Sequence, residues 1–67
     1  MNPEDFRLVL GELGISQIRL ARLLGIAATT VWRWGDGQAA IPGAVGLLMC
    51  ALYAKLVTME QLEALAT

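Results

Sequence analysis

The chain lacks histidine entirely and holds one cysteine, Cys50. No intrachain disulfide is therefore possible, and a zinc site built from cysteine and histidine is excluded. The commonest general base near neutral pH is missing as well. No glycine-rich phosphate cradle occurs. The acids fall at expected helix starts and in loops, where capping accounts for most of them. Nothing here points to an enzyme, a cofactor or a small-molecule substrate. Charge is also scarce, at 16% of residues against the usual value of about 25%. The region from Ile15 to Gly35 has no acid at all but carries Arg19, Arg22 and Arg33. The remainder sets Arg7 and Lys55 against six acids. A net charge of −1 thus hides a basic centre between acidic ends.

Apolar residues are abundant at 57%. A chain of 67 residues buries only about 60% of the surface that it exposes when unfolded. Domains this small usually need a disulfide, a metal or a partner subunit. With the first two excluded, self-association is the expected helper. No basic start followed by an apolar run marks a secretory signal, and a lone cysteine suits a cytoplasmic location. The uncharged stretch from Gly37 to Ala54 approaches membrane-spanning length. It is interrupted by Gln38, Pro42, Gly43 and Gly46, which leaves only Ala44 to Ala54 as continuous apolar helix. That is too short to span, so no membrane partner is expected.

The periodicity predicts an all-α chain of five helices in a single domain. Asn2 caps the first, with Pro3 at its first position and Glu4 and Asp5 favourable to its dipole. Phe6, Val9, Leu10 and Leu13 form its stripe, and Gly14 ends it. Ser16 caps a second helix, Gln17 to Leu24, whose inner face is Leu20, Ala21 and Leu24. Arg19 and Arg22 are expected opposite, in solvent. Gly25 stops this helix and Ile26 is expected to plug the core. The third helix is predicted from about Ala27 to Trp34, ended by Gly35-Asp36-Gly37. Its inner face reads Ala27, Thr30, Val31 and Trp34, and its outer face Ala28, Thr29, Trp32 and Arg33. Pro42 opens a fourth helix ending near Lys55, with Val45, Leu48, Met49, Leu52 and Leu56 as the inner stripe. Leu47, Cys50, Ala51 and Ala54 make its other side apolar too. Thr58-Met59-Glu60-Gln61 reads as a capping box for a short fifth helix with Leu62 and Leu65.

A two-residue join between the second and third helices requires a steep crossing. Ala21 is small enough for the contact and Gly25 tolerates the positive φ of such a turn. The run Ser16-Gln17-Ile18-Arg19-Leu20-Ala21-Arg22-Leu23-Leu24-Gly25-Ile26 is followed by Thr30-Val31-Trp32-Arg33-Trp34-Gly35-Asp36-Gly37 and by Ile41-Pro42. Together they resemble the lambdoid-phage repressor and Cro family of helix-turn-helix regulators, also called the XRE family. The resemblance spans about Phe6 to Leu56. It implies a compact bundle of four or five helices that binds palindromic operators in double-stranded DNA as a homodimer. It implies that Gln17 meets a phosphate, that Ala28, Thr29 and Arg33 reach base edges, and that the backbone at Gly43 faces phosphate. Peptide N–H groups at a helix start suit an anion in any case. Three positions depart from the family pattern. The loop Asp36 to Ala40 has no base, Ala27 cannot cap, and Trp32 stands where a small or polar residue is usual. These departures imply weaker phosphate clamping.

Two readings stay open for several residues. Arg19 and Arg22 either touch phosphate or keep the second helix soluble. Trp32 either contacts thymine methyls or the sugar–phosphate wall, or packs as satellite core against Ile18 or the Asp36 to Ala40 loop. Cys50 is expected as a small buried apolar residue and not as a reactive thiol. The second apolar face (Leu47, Cys50, Ala51, Ala54, Val57, Leu62 and Leu65) is the expected dimer interface. The leading expectation is a transcriptional regulator, a Cro-like repressor from a mobile element. The alternative is a helix-turn-helix module that binds a protein through Trp32 and the acidic ends, as an antitoxin binds its toxin.

Overall fold

The computed structural model describes residues 1–66. Five helices follow one another: α1 (Pro3–Leu13), α2 (Gln17–Leu24), α3 (Ala28–Asp36), α4 (Gly43–Tyr53) and α5 (Met59–Ala66). No strand occurs among the described residues, so the chain is all-α. None of the helices is long and apolar enough to cross a membrane.

Local rules account for most of the boundaries. The Asn2 side chain accepts from the Asp5 amide at 2.7 Å, and the Ser16 hydroxyl accepts from the Arg19 amide at 3.0 Å. Each bond satisfies a backbone donor that the helix leaves open. The capping box forms reciprocally. The Gln61 amide donates to Thr58 Oγ1 at 3.1 Å, and the Thr58 amide donates to Gln61 Oε1 at 2.9 Å. At Gly25 the backbone turns left-handed, with φ of 68°. There the amides of Gly25 and Ile26 donate back to the carbonyls of Arg22 and Ala21. That closes α2 and lets α3 start three residues later.

One core lies inside the bundle. Phe6, Leu20, Val31 and Met49 are completely enclosed, one from each of α1 to α4. Burying a side chain of this size stabilises by roughly 1.5–3 kcal/mol. Phe6 meets Trp34 edge to face with ring centroids 6.1 Å apart, which joins α1 to α3. Such a pair adds about 0.5–1.5 kcal/mol beyond area burial. α5 contributes a single enclosed residue, Met59.

Several expectations are corrected. α3 begins at Ala28 and continues through Gly35 to Asp36. Ala27 is its exposed N-cap residue, while Ala28 packs partly against the core. The helix passes through Gly35, which is buried against the Gln17 and Arg7 side chains. A methyl there would stand 3.3 Å from Gln17 Nε2. α4 is shorter than expected, with Pro42 at its N-cap and Ala54 at its C-cap. Ile26 does not plug the core. Its backbone closes the turn and its side chain is 36% exposed. Leu56 leaves the inner stripe of α4 because the chain turns left-handed at Lys55, with φ of 60°. Cys50 is exposed and not enclosed.

Candidate nucleic-acid interface

Val31 and Trp34 anchor α3 in the core, which turns the opposite face of that helix outward. Thr29, Trp32 and Arg33 lie on that face and are exposed. Ala28 stands at its edge, half-buried. Asp36 shares the face, because helical spacing places it one turn beyond Trp32 and Arg33. Sequence reading missed it by treating Gly35-Asp36-Gly37 as a break. The relevant signal was its seven-residue distance from Thr29. The face therefore offers one cation, one anion, a hydroxyl and an indole. Trp32 is 49% exposed, between its two expected placements.

Gln17 sits at the start of α2 and is half-buried beside Gly35 near the end of α3. The Arg7 guanidinium donates to the Gly35 carbonyl. Arg7 thus satisfies a carbonyl in the last turn of α3, where a cation also complements the helix dipole. No motif flagged Arg7, since its partner lies 28 residues away.

The three central arginines differ in their surroundings. Arg22 and Arg33 are exposed and make no ion pair among the described residues. Arg19 does not lie free in solvent as expected. Its Nη2 donates to Glu63 Oε1 at 2.7 Å and its Nε donates to Glu63 Oε2 at 3.1 Å. Glu60 Oε1 stands 3.5 Å from the same Nη2. The hydrogen bond from Arg19 holds the Glu63 carboxyl below its ordinary range, and the same contact raises the guanidinium further. The charge of Arg19 is therefore spent on α5. The basic region keeps two uncommitted arginines, Arg22 and Arg33.

Helix starts supply further donors. α3 and α4 have no side-chain cap: Ala27 offers none, and neither does Pro42. α1, α2 and α5 are capped by Asn2, Ser16 and Thr58. The first amides of α3 and α4 lack intrahelical acceptors. Gly43 is exposed, with open space where a side chain would project.

The residues expected at a dimer interface divide in two. Leu47, Cys50, Ala54 and Leu65 are exposed, with Leu47 at 73% and Leu65 at 83%. Ala51, Val57 and Leu62 are half-buried, and the latter two pack against the core. Beside this face, Tyr53 meets Glu12, whose hydrogen bond and charge push the phenol upward. The chain matches no family model, and no curated protein or solved structure is significantly similar to it.

Proposed function

We propose that this chain is a sequence-specific DNA-binding regulator of the helix-turn-helix kind, with α3 as the recognition helix. The observation that carries this reading is the α3 face. Thr29, Trp32 and Arg33 project from a helix locked by Val31 and Trp34, and no side chain caps the starts of α3 and α4. A phosphate is a natural acceptor for such amides. Arg33 is the strong discriminator, because its planar fork matches guanine O6 and N7. Thr29 can bond a base edge or touch a thymine methyl. Ala28 offers only a methyl. Gln17, Arg22 and the Gly43 backbone are the phosphate contacts. Arg19 is removed from that set by its pairing with Glu63. The similarity to the lambdoid-phage repressor and Cro family supports a homodimer acting in the cytoplasm on a near-palindromic operator, most simply as a repressor.

A second reading draws on specific observations. Asp36 lies on the recognition face, Arg19 is neutralised, and Trp32 and Ile18 expose apolar surface. These features suit a protein partner of the antitoxin type. DNA titrated at two salt concentrations separates the readings, because phosphate contacts give a steep salt dependence and a protein-only module gives none.

The deciding experiment selects bound sequences from a random DNA pool and then measures Arg33→Ala. The variant should relax preference at one base position per half-site, a loss of about 1–3 kcal/mol on the best operator. Equal loss on every sequence would make Arg33 a phosphate clamp.

A further inference from the structure

Three of the first four helices end at a left-handed glycine: Gly14, Gly25 and Gly37, with φ of 67°, 68° and 78°. The fourth turns left-handed at Lys55, with φ of 60°. No other residue than glycine does so among the described residues. A Cβ in this conformation crowds the following carbonyl oxygen, a cost that glycine avoids. Outliers of this kind cluster at ligand sites, where the strain accompanies a function. What lysine supplies here, and glycine does not, is a cation on a four-carbon stem.

Lys55 lines a cleft of about 270 Å³ between the ends of α1 and α4 and the start of α5. The floor of the cleft is apolar. Ile15, Leu52 and Met59 are buried there, and Leu13 and Val57 pack beside them. An apolar cavity of about 150 Å³ holds a benzene ring. This cleft is larger, but it falls short of the roughly 300–1,000 Å³ of sites for drug-sized ligands. It therefore suits a short apolar body. The other charges on its wall, Arg19 and Glu60, stand 3.5 Å apart, and Arg19 also holds Glu63 at 2.7 Å. Those groups satisfy one another. Lys55 is exposed and makes no ion pair among the described residues. An apolar cleft with one unpaired cation on its wall is complementary to an amphipathic anion.

We propose that this cleft binds a small apolar monocarboxylate, with its hydrocarbon body against Leu52, Val57 and Met59 and its carboxylate on Lys55. Arg19 is already matched by two acids, so the wall supports one ligand charge and not two. The site uses no residue of α3 and stands independently of the DNA reading. Its walls come from three helices, of which α5 is the least anchored, with Met59 alone enclosed. A ligand in the cleft therefore fastens the start of α5 to α1 and α4.

Calorimetric titration of the full chain with octanoate, 1-octanol and octylammonium tests the site. Octanoate should bind with a Kd on the order of 0.1–1 mM, as suits a ligand of about ten heavy atoms. Octanol should bind roughly tenfold more weakly, and octylammonium more weakly still. Octanoate should shift the amide resonances of Ile15, Leu52, Val57 and Met59 and slow hydrogen exchange in α5. Lys55→Gly removes the strain and the cation together. It should raise the thermal midpoint of the free protein, yet reduce octanoate affinity to that of octanol. Lys55→Arg should keep the preference for the carboxylate. Equal affinity for octanoate and octanol would assign Lys55 to the dipole of α4 alone and overturn the proposal. So would a preference that survives Lys55→Gly, resonance shifts centred on the exposed Leu47 and Leu65, or no binding at all. None of these readouts involves DNA, so a failure here leaves the reading of α3 untouched.

Discussion

A methyl group added at Gly25 meets nothing within 4 Å, yet alanine there should be costly. The reason is conformational. The φ of 68° brings a Cβ too close to the following carbonyl oxygen. Gly25→Ala should lower stability by about 1–2 kcal/mol, seen as a shift of the urea midpoint with an unchanged slope. An unaltered midpoint would mean that the α2–α3 turn has freedom to rearrange. Gly35 presents the opposite case. Its backbone is ordinary helix, and the restriction is space, since its neighbour is the Gln17 side chain at 3.3 Å. One glycine shapes the turn before α3, and the other sets how close α3 lies to Gln17. Neither distinction is visible from the letter G. The left-handed turn at Gly25 is legible because the helix pattern stops there, whereas the tight contact at Gly35 depends on which helices meet.

The element most open to perturbation is α5. It contributes only Met59 to the enclosed core, and the Arg19–Glu63 pair fastens it to α2. The bond from Arg19 depresses the Glu63 carboxyl, so the docked helix favours the ionised form. The resulting stabilisation is present above the ordinary carboxylate value of about 4.3 and is lost as pH falls through the lower, docked value. Hydrogen exchange in α5 should therefore accelerate below about pH 4 while the amides of α3 keep their protection. Arg19→Ala should produce the same loosening at neutral pH and remove the acid dependence. Uniform acceleration across all helices would show that α5 does not open by itself. The start of this helix is legible from Thr58 and Gln61, three letters apart. Its anchor is not, because Arg19 and Glu63 lie 44 residues apart and no period links them. The same holds for Leu56, whose spacing fits the inner stripe of α4 until the left-handed turn at Lys55 swings it outward. Short-range rules recover the caps, the stops and the helical class. What they omit are pairings across the bundle, and these decide which of the three central arginines stay unpaired.

The molecule measures 30 × 23 × 20 Å, and a twofold dimer separates equivalent points on its two copies by twice their distance from the axis. Successive major grooves on one face of B-DNA recur at roughly 34 Å, which a pair of protomers of this size can span without a linker. A single protomer has a small electrostatic reserve. Arg22 and Arg33 remain after Arg19 is paired, and Asp36 opposes Arg33 on the exposed face of α3. Each phosphate neutralised changes the salt slope by about 0.9, so one copy alone should bind weakly and a dimer should double both the slope and the base contacts. The operator should accordingly be a near-palindrome with half-site centres about one helical turn apart. Hydroxyl-radical footprinting on the selected sequence should show two protected patches on the same face of the duplex. One asymmetric patch with the wild-type chain at saturation would count against dimeric binding while leaving α3 as the reader of its half-site.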